Sequence, residues 1–436
     1  MDYLMVVRIA KIDQYANGDE VCTRFIQSLI DKCDAYDTLI LPKGVFKVGS
    51  LFLKSHLRLV IEKGTTLIGS ENITDFKEIP TRVAGVEMQW PAAILNVINA
   101  EDVTIEGHGT INGQGPIWWE RYWGTDGKGG ARAKYDAQNL RWIVDYEVKR
   151  PRNLLIYSSS NVQINNINLE KSGFWNLQVT YSKNVKVSGI TVKNNDGPST
   201  DGIDIDSSSY VLVENSTLSC GDDCIVIKSG RDGDGWRVGK SSSNIEIKNC
   251  RILSGYGVVI GSEISGGVKD VYIHDLVYEN SSCGFRMKSS AARGGFVDNV
   301  VVERLSMHNV QFPFSWLLNW HPSYNRKEFD RPVEEMPQAW QAVAAQIPEE
   351  QQKSRVTNIL VRDVWATLSA EYALPSRAFD ISAYADRPME NVRFENVTIE
   401  AKEFGRVIAV KNMNFNKVNV SVEQANNNLN DEFDNR

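Results

Sequence analysis

The chain has 436 residues, with 48 Lys+Arg against 55 Asp+Glu, a formal net charge of −7, and 42% hydrophobic and 9% aromatic residues. That is enough to bury a large continuous core. There is no basic stripe of the kind nucleic-acid binding needs, and no apolar run approaches the ~18–20 residues of a membrane span. The opening stretch "MDYLMVVRIA" is too short and too weakly basic for a secretory signal, so the expectation is either a cytoplasmic protein or one that has lost its leader.

Residues 19–41, "DEVCTRFIQSLIDKCDAYDTLIL", place Val21, Phe25, Leu29, Ile30 and Cys33 on one helical stripe. They predict an amphipathic helix within an N-terminal cap at about 15–40, closing the open end of a solenoid. Its coils are expected to begin with residues 41–70, "LPKGVFKVGSLFLKSHLRLVIEKGTTLIGS".

Beyond residue 100 a ladder emerges. Its units start at Asp102, Asn161, Asn184, Tyr210, Asn244, Asp270, Asn299, Asn358, Asn391 and Lys417, as in "NVKVSGITVK" and "NVRFENVTIE". Most steps are 23–34 residues, and the 59 residues from Asn299 to Asn358 call for an excursion or a hidden coil. Each unit reads (N/D)-apolar-x-apolar-x-x-apolar-x-apolar. The period of two marks half-buried strands, and the x-x step a bend between them. Units that cannot bury their own apolar face must stack on their neighbours. Their Val, Ile, Asn and Thr content disfavours a helical solenoid. The fold class is therefore all-β: a single-domain parallel β-helix of about ten coils spanning residues 1–436. Asn at each head suits a turn, where it tolerates left-handed backbone and can bond its equivalent in the next coil.

Three segments interrupt the rhythm and are expected outside the stack: about 114–148, 230–240 and 312–355. The first carries Trp118, Trp119, Trp123 and Trp142, which could stack on sugars or simply pin long loops. The tail "EQANNNLNDEFDNR" is polar and expected to fray. Six cysteines (Cys22, Cys33, Cys220, Cys224, Cys250, Cys283) lack paired CxxC motifs or zinc spacing. They read as small buried residues, with one or two bridges as the alternative.

The chemistry concentrates in residues 199–230, "STDGIDIDSSSYVLVENSTLSCGDDCIVIKSG". Asp201 and the pair Asp222–Asp223 fall on successive coils, whose strands are ~4.8 Å apart. Such carboxylates repel one another, which raises at least one pKa and leaves an acid beside a base. Glycoside hydrolysis needs that pairing, although an Asp cluster also suits a hard cation such as calcium. Asp204 and Asp206 are read as turn decoration. Arg286 and Lys288, two apart in "GFRMKSS", share one face of a strand, and Lys228 adds a third cation nearby. Cations in register with acids suggest a substrate that itself carries a carboxylate, or else structural counter-ions to the aspartates.

These residues resemble the motifs of the polygalacturonase family, glycoside hydrolase family 28. Ser199-Thr200-Asp201 matches its Asn-Thr-Asp, Gly221-Asp222-Asp223 its Gly/Gln-Asp-Asp, Gly255-Tyr256-Gly257 its Gly-His-Gly and Arg286-Met287-Lys288 its Arg-Ile-Lys. The wider similarity covers roughly residues 15–310. The resemblance implies a right-handed β-helix, Asp222 as general acid, and Asp201 and Asp223 holding and deprotonating the water with inversion. It also implies Arg286 and Lys288 as binders of the galacturonate carboxylate; Tyr256, at the motif His, and Lys228, from its position among the acids, are expected beside the substrate. Ser199 for Asn is a mild departure. Tyr256 for His is larger, because Tyr stays neutral near pH 7; it reads as a change of subsite or subclass.

The combination "IKSGRDGDGW" and "GSEISGG" resembles the exo-acting branch, so release of galacturonic acid from ends of homogalacturonan or rhamnogalacturonan oligosaccharides is expected. An endo-acting rhamnogalacturonan hydrolase is the alternative, followed by a calcium-dependent pectate lyase or a non-catalytic glycan-binding β-helix. No cofactor or metal is expected. The partner is an acidic pectic oligosaccharide, with no nucleic acid or membrane span, and the protein is expected to be a monomer. The substrate class implies a periplasmic or secreted location, with a cytoplasmic one as the alternative.

Overall fold

All ten unit heads share one backbone state in the computed structural model, which describes residues 6–325 and 329–423. From Asp102 to Lys417 their φ angles lie between 54° and 59°, the left-handed region that turns a strand sharply. Asn, Asp and Gly tolerate that region best, and the Asn side chains repay it across coils. Asn161 Nδ2 donates to Asp102 Oδ1 at 3.0 Å, Asn184 to Asn161 at 3.1 Å and Asn391 to Asn358 at 3.1 Å.

The strands after each head pair in parallel. Val103, Val162, Val185, Val211 and Ile245 form one column through successive coils. A second sheet of eleven parallel strands runs from Leu51–Leu53 to Glu403–Ile408. The inward residues of both sheets make one continuous apolar core, and the architecture is a right-handed parallel β-helix. No described helix is long and apolar enough to cross a membrane. All six cysteines are buried free thiols.

Three boundaries differ from expectation. The coils begin earlier than residue 41: Val7–Ile9 pairs with Thr38–Leu41, and Asn17–Val21 with Gly44–Val48. The capping helix, Thr23–Asp31, is thus an excursion within the first coil, placing Ile26 and Ile30 on the end of the core. The strand Phe296–His308 pairs directly with Arg355–Thr367, so the step from Asn299 to Asn358 holds an excursion and no hidden coil. That excursion starts later than residue 312, because Phe312–Leu317 is itself a rung between Cys283–Lys288 and Arg377–Ser382. The tail from 424 lies outside the described residues.

An antiparallel hairpin, Glu78–Val83 with Val86–Pro91, adds a fourth projection. It meets the helices Val144–Glu147 of the first insertion, Asp232–Val238 of the second and Gln338–Ala344 of the third, the first insertion also carrying the helices Gly115–Trp123 and Gly130–Ala137. Val83 and Trp90 of the hairpin share a second apolar cluster with Trp142, Tyr146, Trp175, Trp340 and Val343. Trp118 and Trp142 are fully buried. They pin the first insertion in place, each burial being worth about 2–3 kcal/mol on the scale of large apolar side chains. The four projections form one wall over the outer face of the second sheet.

Candidate active site

Strand alternation decides what that wall covers. In Ile203–Asp206 the isoleucines enter the core and Asp204 and Asp206 point outward; in Ile225–Lys228 the outward residues are Val226 and Lys228, and in Cys283–Lys288 they include Arg286 and Lys288. The register aligns Asp204, Val226, Val259 and Arg286 across four coils, and Asp206 with Lys228. On a bare solenoid this row would face water. Under the wall every member is buried.

Asp204 and Asp206 are therefore strand residues and do not decorate turns. Asp206 pairs at 3.2 Å with Arg82 of the hairpin, both having no exposed side-chain surface, and Asp204 Oδ1 lies 3.1 Å from Lys228 Nζ. Burying a charge without a partner would cost several kcal/mol.

Asp201 and Asp223 each lie two residues before the paired Ile203 and Ile225. They are thus equivalent positions on adjacent rungs, and Tyr256, two before Val258, is the next. Asp222 is one residue out of that column. One carboxylate oxygen from each of the three aspartates lies within 4.8 Å of the others, with Asp201 and Asp223 buried and Asp222 half-buried. Backbone bonds lock the turns together. The Gly202 N–H donates to Asp223 O at 2.9 Å, the Tyr256 N–H to Asp222 O at 3.1 Å, and the Asp223 N–H to Asp222 Oδ1 at 3.0 Å. Gly255 has φ 82°, and a Cβ there would stand 2.4 Å from Asp222 O. Only glycine fits.

Burial, reinforced by the charges of Asp204 and Asp222, pushes the Asp201 carboxyl well above the usual range. Burial and the neighbouring Asp223 raise Asp222 to about 6, against the opposing pull of Lys288, Lys228 and Arg286. Asp204 rises to about 7, from burial against the pull of Lys228. Lys228 lies 3.5 Å from Asp201, 3.1 Å from Asp204 and 3.6 Å from Glu263. Burial alone would lower its pKa, but those three acids raise it well above normal, so it stays charged. Glu263 is correspondingly held to about 2: its burial is outweighed by Lys228, Arg293 and Arg231.

The expected cations separate by environment. Lys228, with 7% of its side chain exposed, is an internal counter-ion stacked 4.3 Å from the Trp175 ring. Lys288 Nζ donates to Asp223 Oδ2 at 2.7 Å and lies 4.6 Å from the Trp320 ring. Arg286 stacks on Tyr256 at 4.6 Å and on Trp320 at 5.6 Å. Tyr256 is raised to about 12, by burial first and Asp222 second; its hydroxyl is neutral and half-buried beside Arg286.

The three aspartates, Lys228 and Lys288 line a narrow pocket of ≈ 80 Å³ together with Arg141, Trp175, Glu263 and Trp320. Larger hollows of ≈ 520 and ≈ 1090 Å³ contain none of the three aspartates. The donor count of the cluster would suit a hard cation, but Lys228 and Lys288 already place two positive charges against Asp201 and Asp223. Sequence reasoning missed Arg82, Arg141, Trp175, Glu263 and Trp320. For Trp175 a signal existed, since Leu177 pairs with Ile203 and so puts residue 175 on the rung before Asp201. Arg82 and Arg141 come from projections with no register to the coils.

The family model described as glycosyl hydrolases family 28 matches residues 33–315, more than half of the chain. A Vitis vinifera protein named "Probable polygalacturonase" is 31% identical over 329 residues, covering 72% of this chain and 63% of its own length. An exo-poly-alpha-D-galacturonosidase of Dickeya chrysanthemi is 27% identical, covering 70% and 56%. The chain thus spans less than two thirds of the length of either relative, and relatives named as endo-acting occur as well. Among solved structures, an exopolygalacturonase from Thermotoga maritima superposes with a TM-score of 0.73 at 24% identity, covering 94% of this chain and 92% of its own.

Proposed function

The chain belongs to glycosyl hydrolases family 28, and from that premise we propose that it hydrolyses α-galacturonosidic bonds of pectic oligosaccharides at a chain end, releasing galacturonic acid. Asp222 acts as general acid: its proton passes to the glycosidic oxygen as the C1–O bond breaks. Asp201 and Asp223 hold a water and take its proton as the oxygen bonds to C1. Arg286 and Lys288 bind the carboxylate of a galacturonate at the cleavage point, and Tyr256 orients Arg286 through its ring.

The observation that carries this reading is the inequality among the three acids. Burial raises Asp201 as well as Asp222, but Asp201 and Asp223 each have a lysine partner, whereas Asp222, at about 6, has none among the described residues and is the least buried of the three. A proton donor beside lysine-compensated carboxylates is the arrangement glycoside hydrolysis requires. The oxygen separations within 4.8 Å are shorter than the ~6.5–9.5 Å usual for inversion, so inversion rests on the family.

End-on action is supported by the wall, whose hairpin and insertions share an apolar core that includes Trp175, on the rung beside Asp201. The endo-acting relatives favour internal cleavage as the second reading. Homogalacturonan and rhamnogalacturonan oligosaccharides should be digested with EDTA present, and products resolved from the earliest time points. Monomeric galacturonate first, with inverted anomeric configuration by proton NMR, supports the proposal; a ladder of oligomers sinks exo action. Loss of activity in EDTA with an unsaturated, ultraviolet-absorbing product would indicate a lyase.

A further inference from the structure

Arg141, in the turn between two helices of the first insertion, is a cation the family motifs do not account for. It lines the acid pocket opposite the sheet that bears Lys288. Its Nη1 donates to Asp145 Oδ2 at 2.8 Å, its guanidinium lies 5.5 Å from the Tyr324 ring, and its Nε has no hydrogen-bond partner. Asp145 Oδ1 receives two further bonds, from Arg150 Nη2 at 3.3 Å and from the Ser199 hydroxyl at 3.0 Å.

One carboxylate therefore answers two guanidinium groups. Arg150 is sealed, with no exposed surface and its Nη1 donating to Pro198 O at 2.7 Å. Both pair with Asp145, at 2.8 Å for Arg141 and 3.3 Å for Arg150, but only Arg141 reaches the pocket, its side chain keeping 16% exposure. A guanidinium matches a carboxylate with two parallel hydrogen bonds, so the ligand chemistry this surplus selects is a carboxylate.

Ser199 completes the assembly. It holds left-handed backbone at φ 53°, immediately before Thr200-Asp201, and spends its hydroxyl on Asp145. The departure from the motif Asn thus couples the insertion to the turn that carries Asp201.

We propose that Arg141 is a specificity-determining residue that binds the carboxylate of a second uronosyl unit, the one on the far side of the scissile bond from the unit held by Arg286 and Lys288. Asp145 and Ser199 are its positioning residues. The proposal rests on the uronide-hydrolase reading above. The preferred occupant is a uronosyl unit whose carboxylate is free and not esterified.

The test compares wild type with Arg141→Gln and Arg141→Lys on digalacturonate and on its methyl ester, with thermal unfolding recorded for each. Arg141→Gln should raise KM for digalacturonate by about 10- to 100-fold, as loss of a charge-assisted bond does, leave kcat within threefold, and cut the preference for acid over ester. Arg141→Lys keeps the charge without the fork and should fall between. A KM for Arg141→Gln within twofold of wild type, or an equal loss on acid and ester, overturns the proposal and leaves the hydrolase reading standing. A wild type that cleaves no uronide at all overturns both. Should Arg141→Gln unfold, Arg141→Lys decides: wild-type KM and wild-type acid preference in that folded variant refute the bidentate contact.

Discussion

Replacing Lys228 by Met tests how the acid cluster is held together. Its ammonium lies within 3.1–3.6 Å of Asp201, Asp204 and Glu263, beneath Trp175 and almost sealed from water. Met matches its length and removes its charge. Removing one partner of a buried ion pair costs about 3–5 kcal/mol, because the remaining charge is left uncompensated. With an unfolding entropy of about 2.1 cal/mol/K per residue, 436 residues give ~0.9 kcal/mol/K, so the expected loss is about 3–5 °C in Tm.

The loss should depend on pH, with a sign set by the acids. In the wild type Glu263 is held to about 2, so its stabilisation is present above the ordinary carboxyl pKa and vanishes only as pH falls through about 2. The variant forfeits the part of it that Lys228 supplies, Arg293 and Arg231 remaining. Protonation can then neutralise the orphaned carboxylates, so the gap in Tm should be widest at pH 8 and narrow at pH 5. Differential scanning calorimetry at both pH values, with steady-state kinetics on digalacturonate, measures this directly. A variant with wild-type Tm at both pH values and a tenfold higher KM would refute the counter-ion role and make Lys228 a substrate contact.

Asp222→Asn should lower kcat by roughly 10²–10⁴, the usual contribution of a general acid, without lowering Tm, since it removes a charge repelled by Asp223; reducing-sugar release and calorimetry check both halves. In the wild type, kcat should fall as pH rises through about 6, where Asp222 loses its proton. Lys288 holds that pKa down, so Lys288→Met should move the descending limb to higher pH while raising KM; an unmoved limb contradicts the assignment. Gly255→Ala should cost at least tenfold in kcat and measurable Tm, its Cβ falling 2.4 Å from Asp222 O. Gly127→Ala, also at positive φ but with nothing within 4 Å, should cost only about 1 kcal/mol.

What was legible in the sequence was what repeats. The unit heads, the alternation and the pairing of Asp201 with the next acidic turn are local patterns copied coil after coil, so stacking follows from periodicity. Asp204 and Asp206 show where such reading stops. Their outward direction was readable, but whether outward means solvent depends on the hairpin and three insertions, whose docking no periodicity encodes. The same gap hid the ion pairs of Lys228 with Asp204 and Glu263. The hairpin was concealed by its own turn, since Ala84 at φ 41° precedes Gly85 at φ 79° and Ala disguises a two-residue loop usually marked by Asn-Gly or Gly-Gly.

The placement of the three aspartates turns on a single residue of spacing. The paired strands Ile203–Asp206 and Ile225–Lys228 are offset by 22 positions, so Asp223 stacks on Asp201 and Asp222, 21 from it, stands out of the column. Five residues after Asp223 comes Lys228, and two rungs further Lys288 occupies the same row, with Gly261, which carries no side chain, between them. Lysines from this row reach Asp201 and Asp223, whereas among the described residues Asp222 has no ion-pair partner. The acid left out of the column holds its proton up to about pH 6 while remaining open to the pocket. Inserting one residue between Asp201 and Asp222 would restore a 22-residue interval to Asp222 and bring it into register with Asp201. The division between proton donor and lysine-held base would then be lost even with every acidic side chain retained.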